Sequence, residues 1–132
     1  MSKVILVIDD DPTIRELVKL LLDDTDCEAY SLSTPTHLTE TVDRVRPRAA
    51  LIDIVIRNPA TGASSVADGW HAAQVIHDHA PEIPLVMFTA SRQALTEFGV
   101  TERGSLFAAV LAKPFDVDQL NAVLDGICEA IS

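Results

Sequence analysis

Apolar residues follow two rhythms along this chain, and the rhythms alternate. Val4–Ile8 is an unbroken apolar run rich in β-branched residues, the pattern of a strand covered on both faces. Ile14, Leu17, Val18, Leu21 and Leu22 then recur at helical spacing, with Asp11 placed to cap that helix and Pro12 suited to its first turn. Glu28–Leu32 predicts a short second strand. Ser33 or Thr34 with Pro35 predicts the start of a second helix, with Leu38, Val42 and Val45 on one face and Pro47 at its end. Ala49–Ile54 predicts the third strand. Arg57 to Ala67 holds Asn, Pro, Gly, Thr and Ser and reads as a loop closed by Asp68-Gly69, before a helix expected over roughly Trp70–His79. Pro81 and Pro84 bracket a turn, and the fourth strand is expected over Leu85–Phe88, ending at Thr89-Ala90. A polar helix is expected from about Ser91, a fifth strand over Leu106–Ala112, and a last helix capped by Asp116. Leu120, Val123, Leu124, Ile127 and Ile131 form the buried side of that last helix.

Strands alternating with helices imply a parallel sheet with right-handed crossovers. Five such units predict a flavodoxin-like, doubly wound α/β fold: a five-stranded parallel sheet in the order 2-1-3-4-5 with five helices. The 132 residues are enough for one domain with a real core, and no repeat divides them. A formal net charge of −10 argues against direct binding of nucleic acid, whose phosphates would repel it. No apolar run approaches the roughly 18 residues of a membrane span, and no charged-then-apolar leader opens the chain. A soluble, cytoplasmic protein without membrane contact is expected. Cys27 and Cys128 show no ligand spacing and read as reduced thiols, with a bond between them left open.

The candidate chemistry sits where the apolar runs stop. Asp9-Asp10 follows the first strand, Asp53 closes the third, and Lys113-Pro114 follows the fifth. Ligands of open parallel sheets bind at the carboxyl ends of the strands, so three carboxylates and one ammonium would converge there. That set could hold a divalent cation and a phosphoryl group. A carboxylate attacking a phosphoryl group faces like-charge repulsion. Mg2+ offsets it and prefers oxygen ligands with a few retained waters. Lysine adds a flexible point charge. Taken alone, Asp9-Asp10 would be read as a helix cap, Lys113 as a solvated lysine and Thr89 as an ordinary strand residue. Asp11 is expected to cap rather than bind metal. Asp53 is harder to dismiss, because an acid closing a buried strand is costly without a use. Pro114 suggests a defined backbone at Lys113, a cis peptide among the options, that aims the ammonium inward. His71, His77 and His79 are spaced by six and two residues, share no helical face and are expected to be solvated. Trp70 is expected to pack at the start of its helix.

In this order, Val-Ile-Leu-Val-Ile-Asp9-Asp10-Asp11-Pro12-Thr13-Ile14-Arg15, Leu51-Ile52-Asp53, Asp68-Gly69, Phe88-Thr89-Ala90 and Lys113-Pro114-Phe115 resemble the receiver domains of two-component response regulators. The resemblance covers essentially the whole chain and implies a single receiver domain over residues 1–132, without an output domain. It implies that Asp53 accepts a phosphoryl group from a sensor histidine kinase or phosphotransfer protein. Asp9, Asp10, Asp53 and the carbonyl of Val55 would hold Mg2+, while Thr89 and Lys113 would contact the phosphoryl oxygens. Signalling would pass through contact with a downstream protein rather than through conventional enzyme activity, and a weak homodimer is compatible with the family.

Two features depart from that pattern. Asp68-Gly69 stands 15 and 16 residues after Asp53, leaving a loop about eight residues longer than in typical receivers, at little cost in stability. Val110 stands where many receivers carry Tyr or Phe, so an aromatic rotamer cannot serve as the readout. These departures favour an alternative, a pseudo-receiver that binds partners without phosphorylation control; the complete acidic set opposes it. Asp9-Asp10-Asp11-Pro12-Thr13 also faintly resembles the first motif of haloacid-dehalogenase phosphohydrolases, with Asp9 as nucleophile. A helix starting at once leaves no room for the flap or cap of that family.

Overall fold

The computed structural model describes residues 3–54, 56–57, 64–89 and 107–131, and within these only the backbone of 56–57 and 64–68. The elements in chain order are β1 (Lys3–Ile8), α1 (Pro12–Leu22), β2 (Cys27–Leu32), α2 (Leu38–Val45) and β3 (Ala49–Asp53), then β4 (Ile56–Arg57), β5 (Ser64–Ser65), α3 (Val66–His79), β6 (Leu85–Thr89), β7 (Ala109–Ala112) and α4 (Val117–Ala130). The main sheet runs β2-β1-β3-β6-β7, every pairing parallel. Counted among its own five strands, this is the expected order 2-1-3-4-5.

The unbroken apolar runs are explained by two cores, one on each face of the sheet. Successive strand residues point to opposite faces. Leu6, Ile8, Ala50 and Ile52 therefore enter one core, with Val42 of α2 and Ile76 of α3. Ile5, Val7 and Leu51 enter the other, with Val18 and Leu22 of α1 and Leu120 and Leu124 of α4. Val123 is half-buried at the edge of this second core.

Helix termini follow the capping chemistry only in part. Asp11 accepts from the Thr13 amide at 2.9 Å, with Pro12 in the first turn of α1. Asp116 and Gln119 form a reciprocal capping box on α4. The second helix starts later than expected. The Thr34 hydroxyl lies 3.1 Å from that of Thr36, and the chain turns through a left-handed His37, φ 54°, before α2 begins at Leu38.

The described residues at the two ends of the stretch read as a loop have regular backbone. Ile56 and Arg57 pair antiparallel with Ser65 and Ser64. Then α3 begins at Val66 rather than Trp70, so Asp68 and Gly69 lie inside the helix instead of closing a loop. A Cβ on Gly69 would overlap the backbone of Ile54, the residue after Asp53. The first turn of α3 therefore rests directly on the main chain at the end of β3. The described residues contain four helices where five were expected, and the helix expected from about Ser91 lies outside them. The fifth sheet strand begins at Ala109, with Leu106 also outside.

Candidate functional site

The sheet register brings the carboxyl ends of four strands to one edge. Ile8 is level with Ile52, Asp53 with Phe88, and Thr89 with Ala112. Asp9, Asp53, Thr89 and Lys113 therefore stand at or just past adjacent strand ends. Main-chain bonds hold that alignment: the Ile54 amide donates to Phe88 at 2.9 Å, and the Lys113 amide donates to the Thr89 carbonyl at 2.8 Å. The Lys113–Pro114 peptide is cis.

The Lys113 ammonium points into the site, donating to Asp9 Oδ2 at 2.9 Å and to Asp53 Oδ2 at 3.0 Å. Asp9 is wholly buried, Asp53 nearly so and Thr89 wholly, while Asp10 is half-buried. One carboxylate oxygen from each of Asp9, Asp10 and Asp53 lies within 4.8 Å of the others. At that range each pair of charges repels by a few kcal/mol at an effective dielectric of about 20. One ammonium against three carboxylates leaves a formal charge of −2. Desolvation by burial would lower the Lys113 pKa, but the hydrogen bond and charge of Asp9, then those of Asp53, outweigh it and hold the ammonium above its ordinary range.

The all-oxygen donor set, its spacing and its surplus negative charge fit a hard divalent cation such as Mg2+. The Val55 carbonyl, expected as a further ligand, lies outside the described residues.

Asp9 is fixed on every side. Its amide donates to the Leu32 carbonyl at 3.1 Å, and its Oδ1 accepts from the Asp11 amide at 2.9 Å. Its carbonyl accepts from Arg15 Nη1 at 2.7 Å. Arg15 belonged to the recognised motif, but sequence reasoning gave it no role. Only its place one turn past the Asp11 cap hinted that it could reach back over the acidic turn.

Other candidates fall elsewhere. His71 and His77 are exposed, as expected, whereas His79 is paired with Asp43 across α2 and α3 at 2.7 Å rather than simply solvated. Trp70 is half-buried, its ring 6.0 Å from that of Phe107, and Val110 packs half-buried against the same core. Neither cysteine forms a disulfide; burial, then the neighbouring Cys27, pushes the Cys128 thiol up to about 12. Among the described residues no helix is long and apolar enough to cross a membrane.

The sequence matches the family model of the response regulator receiver domain over residues 5–125. It is 30% identical, over 99% of its length, to the nitrogen assimilation regulatory protein NtrX of Azorhizobium caulinodans, and spans 27% of that protein. The receiver domain of NtrX from Brucella abortus has a similar structure: TM-score 0.72 and 28% identity, covering 95% of this chain and 98% of that one. A CheY-like receiver domain protein from Methanospirillum hungatei, 19% identical, superposes with a TM-score of 0.76 over 99% of this chain and 97% of that one, a likeness of fold.

Proposed function

The chain belongs to the response regulator receiver domain family, and from that premise we propose that Asp53 accepts a phosphoryl group from the phosphohistidine of a sensor kinase or phosphotransfer protein. The observation that carries this reading is the Lys113 ammonium bridging Asp9 and Asp53, with Asp10 in the same cluster. Asp10 and Asp53, beside Asp9 and with the Val55 carbonyl, would hold Mg2+. When bound, the ion supplies the positive charge that lets an anionic phosphoryl group approach anionic carboxylates.

The protein groups do the positioning on which phosphoryl transfer chiefly depends. A carboxylate oxygen of Asp53 forms the new bond to phosphorus while the bond from phosphorus to the donor imidazole nitrogen breaks, the nitrogen keeping the electron pair. Lys113 follows the transferred charge, moving from the Asp53 carboxylate to a phosphoryl oxygen. The Thr89 hydroxyl, at the adjacent strand end, donates to another. The product is an acyl phosphate whose hydrolysis resets the domain. The output is a contact with a downstream protein, and the domain is regulatory rather than an enzyme in the usual sense. The direct entry from Asp11 into α1 leaves no flap after Asp9, which disfavours the phosphohydrolase reading.

The test is incubation with acetyl phosphate and magnesium, followed by intact mass. One phosphoryl group is expected on the wild type and none on folded Asp53→Asn. An unlabelled wild type would favour the pseudo-receiver. Equal labelling of the variant would move the acceptor elsewhere.

A further inference from the structure

We propose that Arg15 is a positioning residue for this site: by holding the Asp9 carbonyl, it sets the peptide plane from which Asp10 presents its carboxylate to a divalent cation. The inference rests on the acceptor reading above. A peptide unit is planar, so the Asp9 carbonyl and the Asp10 amide turn together. The bonds from Asp9 to Leu32, Asp11 and Lys113 fasten its own amide and carboxylate. The bond from Arg15 Nη1, at 2.7 Å, fastens the plane that follows. Asp10, half-buried, takes its place from that plane.

Arg15 is itself well anchored. It is half-buried on α1, and its amide donates to the Asp11 carbonyl at 3.2 Å. Asp11 caps the same helix and donates its own amide back to Asp9. Asp9, Asp11 and Arg15 thus close a ring of bonds around Asp10. Arginine suits the task because its planar fork holds a direction, whereas an ammonium on a flexible stem does not.

The guanidinium has a second effect of opposite sign. As a cation near the acidic cluster it repels an incoming divalent ion. If charge dominated, its removal would tighten binding; if positioning dominates, its removal loosens it. Charge in a partly exposed place is screened by salt, while loss of an outer partner of a metal ligand typically weakens affinity by about tenfold or more. Positioning is therefore the larger effect.

The experiment compares the wild type, Arg15→Gln and Arg15→Lys. Melting temperature is followed against magnesium concentration, and labelling by acetyl phosphate is followed by intact mass at limiting and saturating magnesium. For Arg15→Gln the half-saturating magnesium concentration should rise about tenfold in both assays. Saturating magnesium should restore labelling, and Arg15→Lys should fall between. An unchanged half-saturation, even with a lower melting temperature, would mean a structural role only and overturn the proposal, as would tighter binding. Should Arg15→Gln fail to fold by circular dichroism, Arg15→Lys carries the test, and half-saturation equal to wild type overturns it. A wild type indifferent to magnesium and acetyl phosphate would sink the acceptor reading and this inference with it. A responsive wild type matched by Arg15→Gln would sink this inference alone.

Discussion

Asp9 and Asp53 share one ammonium, and that sharing gives Lys113 a measurable place in stability. Lys113→Met would leave two buried carboxylates facing each other and Asp10 without their cation. The expected cost at neutral pH is about 3 kcal/mol, the scale of breaking a buried pair from one side. The folded pKa of Lys113 is raised, so its contribution is fully present below the unfolded value of about 10.4 and is lost as pH rises through the folded value. Urea unfolding across pH should show a constant gap between wild type and variant through the neutral range, closing in strong alkali. A gap that closes near neutrality would contradict this. At this scale Asp9, Asp10, Asp53 and Lys113 were legible in the sequence, because each is a charged residue at the end of an apolar strand. Arg15 was not. Its partner is a backbone carbonyl, which has no residue type to search for.

Two glycines in helices make a controlled comparison of how elements meet. At Gly126, in α4, a Cβ would meet nothing within 4 Å, whereas at Gly69, in α3, it would enter the Ile54 backbone. Gly126→Ala should therefore stabilise by up to about 1 kcal/mol through helix propensity. Gly69→Ala should destabilise by about 1–3 kcal/mol or more, since backbone cannot yield as a side chain does. Thermal unfolding of both variants checks the contrast, and a neutral Gly69→Ala would show that α3 does not rest on β3. The same abutment explains why α3 starts earlier than the sequence predicts. Asp-Gly is ordinarily a turn signal, and the packing that overrides it comes from residues far along the chain. Likewise β4 and β5 are two residues each, too short for any periodicity, and Ser64-Ser65 has no strand signature. The long apolar strands were readable because burial on both faces leaves no polar gaps.

Over the whole molecule, the alternation of strands and helices carried the topology, and the topology carried the site: once β1, β3, β6 and β7 are parallel and in register, their polar ends must meet. The sheet thus joins two cores to the edge that carries the candidate site, and a disturbance there would have a short route outward along α3. Gly69 touches the main chain just past Asp53, and the next residue is Trp70, the single tryptophan of the chain, its ring tilted against that of Phe107. The protein is in effect built with its own optical gauge, an indole mounted one residue from the bearing on which the end of β3 presses. Labelling with acetyl phosphate should shift its emission, with the same time course as the gain in mass, and Asp53→Asn should leave the spectrum still. Identical emission before and after full labelling would mean that the bearing does not move.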